Sequence, residues 1–273
     1  MRQILFRVLS FLRHQLTAWN TGGEGIHSPY LFYWVRHCLY DSNRYYAFDR
    51  IEKQRSAMLR SAETLTVTDY GTGKDRQAVR SVRDIAATSL EKAKNARILF
   101  RLVRFLGDKE LNGTSENDAL NILELGTSLG ITTAYLASPS SKNKVVTMEG
   151  SQALVNMARN NWKTIGLNNI TVVEGNIDDK LKCVLEEFQR VDLVFMDANH
   201  TKEATLRYWE AIMPFIEKKS VIVLDDIHWS RDMESAWKTI RQDERVSCTM
   251  DLYDMGLVFF DPAYLHKHFR LRV

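Results

Sequence analysis

Two apolar runs in this sequence end on carboxylates. Val191-Asp192-Leu193-Val194-Phe195-Met196 reads as a buried strand that delivers Asp197, and Val221-Ile222-Val223-Leu224 delivers Asp225 and Asp226 in the same way. The C-terminal edge of an open α/β sheet is where ligands bind. Neighbouring acids at a buried rim are costly unless a cation or protons offset them. Asp197, Asp225 and Asp226 are therefore a candidate hard-oxygen site for Mg²⁺, with water and substrate oxygens completing the octahedron.

A second constellation lies upstream. Asn121-Ile122-Leu123-Glu124-Leu125-Gly126-Thr127-Ser128-Leu129-Gly130 reads as a strand, a tight turn and a helix start, where glycine lets the backbone bend sharply and approach a ligand. The next predicted strand ends in Glu149 and Gly150, and a carboxylate there can accept both hydroxyls of a ribose. Three departures from the dinucleotide pattern point away from a pyrophosphate: Ser128 takes the middle glycine's place, Gly130 comes one residue early, and Glu124 precedes the turn. A carboxylate at Glu124 favours the ammonium group of S-adenosylmethionine, directly or through water. Asn176 and Ile177, after the third strand, suit the clasping of adenine. The alternative is that Glu124 and Glu149 only cap a sheet edge.

The segment Asp197-Ala198-Asn199-His200, followed by Asp225-Asp226, resembles the metal-dependent O-methyltransferases of the catechol and caffeoyl-CoA type. It is closer still to the sugar and macrolide O-methyltransferases, which carry a histidine where the catechol group has lysine, as His200 does here. The resemblance spans about residues 97 to 261 and implies a class I S-adenosylmethionine-dependent methyltransferase. It implies that Asp197, Asp225 and Asp226 hold the cation, that Asp197 also borders the cofactor, and that His200 is the general base. One departure is Asp226, where the catechol group has asparagine. The chemistry agrees, because metal coordination lowers a hydroxyl's pKa and histidine titrates near the operating pH. Alternatively, His200 merely opens the helix that starts at Thr201.

The elements that must carry these residues form an alternating pattern. Strands are expected over Asn121 to Glu124, Lys144 to Glu149, Ile170 to Glu174, Leu193 to Asp197, Ser220 to Asp225, Ser247 to Tyr253 and Leu257 to Asp261. The short Asp254-Met255-Gly256 turn makes the last two antiparallel. The expected fold is α/β and Rossmann-like, seven-stranded in the order 3-2-1-4-5-7-6 with the last strand antiparallel, helices on both faces, and a mainly helical N-terminal extension. Residues 1–93 are read as a helical lid region with a short β segment, and residues 94–273 as the cofactor-binding domain.

In the N-terminal region, Leu5, Val8, Leu9, Leu12 and Leu16 recur at helical spacing, so Gln3 to Trp19 is expected to form an amphipathic helix that packs on the rest of the protein. Peripheral membrane contact is the alternative use of its apolar stripe and arginines. Ser28 and Pro29 should start a second, aromatic-rich helix, with His27 and Tyr30 candidates for closing the substrate pocket. His228 and Trp229 either line that pocket or pack. Asp69-Tyr70-Gly71-Thr72-Gly73-Lys74 looks like a cofactor loop, but no second strand with a terminal acid follows, so it reads as a glycine turn.

Composition narrows the function classes. A net charge of +3 over 273 residues gives no field of the kind a nucleic-acid binder needs. No run approaches the roughly 18 apolar residues of a membrane span. Cys38, Cys183 and Cys248 form no CxxC pair and read as reduced core residues of a cytoplasmic protein. The expected partner is a small hydroxylated acceptor such as a sugar, a phenol or a lipid head, and a homodimer is left open. Transfer to nitrogen or to RNA is the second reading, and a non-catalytic membrane-surface protein the third.

Overall fold

Apolar runs alternate with amphipathic segments along the chain, and the computed structural model turns that alternation into strands and helices. It describes residues 2–69, 76–108, 111, 119–264 and 267–273. The elements run α1 (Arg2–Thr17), α2 (Pro29–Trp34) with a π turn at Val35–Leu39, α3 (Tyr46–Met58), β1 (Thr64–Asp69), β2 (Arg76–Ser81), α4 (Val82–Ser89) and α5 (Ala93–Leu106). They continue as β3 (Asn121–Leu125), α6 (Ile131–Ala137), β4 (Lys144–Glu149), α7 (Gln152–Ile165), β5 (Ile170–Glu174) and α8 (Ile177–Phe188). The last part holds β6 (Val191–Met196), α9 (Lys202–Ile212), β7 (Ile216–Asp225), α10 (Arg231–Arg241), β8 (Cys248–Asp251), β9 (Met255–Phe259) and β10 (Lys267–Arg270). The fold is α/β and Rossmann-like.

The chain divides into two compact units, one of residues 1–41 with 188–273 and one of residues 42–187. The units do not divide at the expected residue 93. The first 41 residues have too little apolar surface for a core of their own, and Trp34 of α2 sets its ring edge-on against Phe259 of β9 at 5.8 Å.

In the unit of residues 42–187, β3, β4 and β5 are parallel neighbours in that order. Their core gathers Phe48, Ile51, Phe100, Tyr135, Trp162 and Ile165. Burying each such side chain stabilises the fold by roughly 1.5–3 kcal/mol. The separate hairpin of β1 and β2 was half foreseen: β1 follows the β-like run at Leu65 to Thr68, but the charged Arg76–Ser81 carries no alternation and becomes a strand only by pairing. Residues 70–74 of the glycine-turn motif lie outside the described residues.

In the other unit the order is β10-β8-β9-β7-β6. β6 and β7 are parallel, whereas β9 runs antiparallel to both β7 and β8. Within each unit the predicted order holds, with one correction: β10 adds an unexpected edge strand parallel to β8. The expected cap of α2 forms, since the Ser28 hydroxyl accepts from the Leu31 N–H at 3.3 Å. Tyr30 stacks on Tyr264 at 5.7 Å inside this unit.

Two expectations need correction. Cys183 is exposed, while Cys38 and Cys248 are buried, and all three are free thiols. Helix α1 does not bury its leucine stripe: Ser10 and His14 face inward, and Leu5, Leu9, Leu12 and Leu16 are exposed. His228 lies inside the unit, its Nε2 3.0 Å from Asp251 Oδ2, and Trp229 is covered by the Arg7 guanidinium at 3.9 Å. Among the described residues no helix is long and apolar enough to cross a membrane.

Candidate functional site

The turn after β3 is shaped by backbone that only special residues tolerate. Gly126 has φ 99° and Gly130 has φ 74°. At Gly130 a Cβ would come within 2.6 Å of the Trp162 ring nitrogen, which donates to the Gly130 carbonyl at 2.7 Å. Between them Ser128 sits at φ 48°, left-handed without being glycine. Such a conformation costs on the order of 1 kcal/mol or more and persists where the surroundings fix it.

What fixes it is Glu149. Its Oε2 accepts the Ser128 N–H at 2.9 Å, and its Oε1 accepts the Ser151 N–H at 2.9 Å. The carboxylate at the end of β4 is thus clamped beside the β3 turn. The Ser128 hydroxyl is a buried atom with no hydrogen-bond partner among the described residues. A clamped carboxylate and an unsatisfied hydroxyl on one turn fit a ligand that brings several hydroxyls, as a nucleoside does. Gly150 is half-buried between Glu149 and Ser151. Asn176 caps α8, its Oδ1 accepting the Asp178 N–H at 3.1 Å, and Ile177 is buried at the start of that helix.

Glu124 lies in β3, just before the turn, as expected. It is 0 % exposed, beneath the turn, with Oε2 accepting from the Thr133 hydroxyl at 2.5 Å and from the Thr147 hydroxyl at 2.6 Å. Thr147 is its cross-strand partner and lies 2.6 Å from the Thr127 hydroxyl, so a buried chain of polar groups braces the turn from below. Burial pushes the Glu124 carboxyl up to about 7 against the opposing pull of both threonines, and the charge on Glu149 adds to the rise. Its Oε1 has no hydrogen-bond partner among the described residues. The sequence reading missed Thr133, Thr147 and Ser151. A threonine opposite a glutamate inside a buried strand pair was the available signal.

The second group of candidates lies in the unit that holds β6 and β7. The parallel register pairs Met196 with Leu224, so Asp197 and Asp225 leave the same edge of their two strands. Asp225 is buried. Asn199 at φ 49° and Asp226 at φ 53° are again left-handed without being glycine. The Asn199 amide donates to the Tyr208 hydroxyl at 2.6 Å, and the Lys202 N–H donates to Asp232 at 2.6 Å, which ties the loop to α9 and α10.

His200 Nε2 comes within 3.5 Å of Asp197 Oδ1. Burial lowers the His200 pKa below its ordinary value, and the nearby Asp226 carboxylate works in the opposite direction. Asp197, His200 and Asp226 therefore form one electrostatic group. Thr201, rather than His200, caps α9 by accepting the Ala204 N–H. Among the described residues no three His, Cys, Asp or Glu side chains are gathered closely enough to hold a metal ion.

The sequence pattern described as a methyltransferase domain matches residues 123–227, a span that contains both groups. No curated protein matches the chain in sequence. Among solved structures it is similar to an O-methyltransferase from Bacillus cereus in complex with SAH, at 21% identity and a TM-score of 0.55, covering 80% of this chain and 92% of that one. It is similar to a SAH-bound Podospora anserina methyltransferase at 16% identity and a TM-score of 0.57, covering 82% and 92%. The O-methyltransferase TomG of Streptomyces achromogenes, involved in tomaymycin synthesis and solved with SAM, matches at 14% identity and a TM-score of 0.55, covering 96% of this chain and 99% of that one. Residues 123–227 thus match the pattern of a methyltransferase domain, and the chain shares the fold of these structures.

Proposed function

We propose that this protein is an S-adenosylmethionine-dependent O-methyltransferase that acts on a small hydroxylated acceptor. The observation that carries the reading is Glu149, whose carboxylate ends β4 and is clamped onto the left-handed Ser128 of the β3 turn, the place where a ribose would lie. The similar Bacillus cereus and Podospora anserina structures hold SAH, and TomG holds SAM, which supports the same cofactor here. S-adenosylmethionine, when bound, supplies a methyl group made electrophilic by its sulfonium.

His200 is the base in this reading. Its lowered pKa keeps the imidazole neutral and able to accept a proton near neutrality. As the acceptor oxygen forms its bond to the methyl carbon, the hydroxyl proton passes to His200. Bound S-adenosylmethionine would supply the methyl group and leave as S-adenosylhomocysteine, its sulfur keeping the electron pair. Asp197, 3.5 Å from Nε2, and the nearby Asp226 then stabilise the imidazolium.

Mg²⁺ assistance is the finer part of the proposal. Its support is the donor set: Asp197, Asp225 and Asp226 offer only hard oxygens, which suit that ion. No step above is routed through it, because the described acids are not gathered into a cation site.

Calorimetry with S-adenosylhomocysteine tests the cofactor half. Glu149→Ala should lose affinity about tenfold or more, since a clamped carboxylate that pairs hydroxyls is worth over 1 kcal/mol, while His200→Ala should bind as the wild type does. An acceptor screen read by mass spectrometry, run with Mg²⁺ and with EDTA, tests the chemistry. Undiminished cofactor binding by Glu149→Ala would overturn the assignment, and full turnover in EDTA would remove the metal.

A further inference from the structure

Helix α1 presents the wrong side to the protein for an ordinary packing helix. Ser10 and His14 face inward and are buried, whereas Leu5, Leu9, Leu12 and Leu16, which share one helical face, are between 51 and 85% exposed. The orientation is held by directed contacts. His14 Nε2 meets Asp251 Oδ1 at 3.2 Å, the Tyr253 hydroxyl donates to the Arg7 carbonyl at 2.9 Å, and the Phe11 ring stands edge-on to Tyr253 at 5.1 Å. Turning the leucines inward would break these bonds. A contiguous apolar face of this kind marks an interaction surface.

What covers it is indicated by charge. The α1 segment contains no Asp or Glu, and the exposed Arg13 flanks the leucines. Just past the end of α1, by the exposed Trp19, there is a cavity of about 440 Å³ lined by Trp19, Asn20, Arg241, Asp251, His268 and Arg270, with Thr17 and Phe269. Arg241 Nε is buried there with no hydrogen-bond partner among the described residues. Burial and the neighbouring Arg270 both hold the Arg241 pKa below the ordinary arginine value, and Asp251 opposes them. Asp251 is already engaged by His14 and His228, and Arg270 reaches it only at 3.7 Å while donating to the Thr17 hydroxyl at 2.8 Å. The cavity is thus short of negative charge. An apolar face, a tryptophan at its end and a basic cavity beside it make the arrangement that settles at an anionic bilayer surface. A second copy of the same helix would bring leucines but no anion.

We propose that α1 is a docking helix that lays its leucine face on an anionic phospholipid surface, with the cavity of Arg241 and Arg270 taking a lipid phosphate. The docking involves no residue of the proposed methyl-transfer reaction and stands apart from that reading.

Vesicle flotation of the full chain tests it, with phosphatidylcholine alone and with phosphatidylcholine mixed with phosphatidylglycerol. The wild type should float with the mixed vesicles, less so as salt is raised, and not with the neutral ones. Leu9→Ser/Leu16→Ser should lower partitioning by at least about tenfold, because two leucines no longer leave water, and circular dichroism should show its fold unchanged. Arg241→Gln should weaken binding to the mixed vesicles several-fold. Failure of the wild type to float, or equal flotation by the leucine variant, would overturn the proposal. So would a dimer seen by light scattering that the leucine variant dissolves without any vesicle binding. Calorimetric binding of inorganic phosphate that depends on Arg241, again without flotation, would assign the cavity to a soluble ligand instead.

Discussion

Replacing Glu124 by Gln should make the protein more resistant to alkaline conditions, and the size of the effect can be worked out from its surroundings. The carboxyl is wholly buried beneath the Gly126 turn and is pushed from an ordinary 4.5 up to about 7. In the unfolded chain it loses its proton near 4.5, so between pH 4.5 and 7 the folded form holds a proton that the unfolded form has released. Stability from this group is therefore fully present below the lower value and lost as pH rises through the upper one. At about 1.4 kcal/mol per pH unit, that gap amounts to about 3 kcal/mol. Gln keeps an acceptor oxygen for Thr133 and Thr147 and does not titrate. Urea unfolding of both proteins at a series of pH values should show the wild type losing about 3 kcal/mol more than the variant between pH 4.5 and 8. Other groups titrate in both proteins and cancel. Parallel profiles would refute the reasoning, because Glu124 would then ionise as freely inside the fold as outside it.

The base assignment predicts that His200→Ala lowers kcat by about 10² to 10⁴ with little change in cofactor affinity, and that the rising limb of the wild-type pH–rate profile has its midpoint below the ordinary histidine value. Gly130→Ala should destabilise by about 2–4 kcal/mol in urea unfolding, since the new Cβ meets Trp162 at a positive φ; a loss under about 0.5 kcal/mol would show that Trp162 gives way freely. Asp251→Asn should cost about 3 kcal/mol, because it leaves His14 and His228 without their buried carboxylate. Burial would raise the Asp251 pKa, yet the two histidines hold it below its ordinary 3.8. The wild type should therefore shed this stability only as pH falls below about 4, a loss that the asparagine protein should not show.

Legibility in the sequence followed how locally each feature is determined. β4 and β5 match their expected bounds because a run of apolar residues of strand length needs no partner to be recognised. β2 and β10 were invisible, since Arg76–Ser81 and Lys267–Arg270 are charged and become strands only through pairing with β1 and β8. The candidate site divides in the same way. Glu149, Asp197, Asp225 and Asp226 could be picked out as polar residues ending apolar runs, and His200 through the family resemblance of the segment that follows Asp197. Glu124 was picked out as well, but not Thr133 and Thr147, which reach it from other elements.

The order of apolar and polar residues alone was enough to determine the α/β plan, the alternation of strands and helices from β3 to β7 and the turn that carries Gly126, since these depend on backbone preferences and on periodicity. Which face of a helix is buried depends on what lies opposite. Periodicity marked α1 as amphipathic, yet only the folded chain brings Asp251 to His14 across 237 residues and so turns Ser10 inward and the leucines out. The same holds for the meeting of His14, His228 and Asp251, and for the cavity between Arg241 and Arg270: these depend on distances between residues far apart in the chain, which are set only when the chain packs.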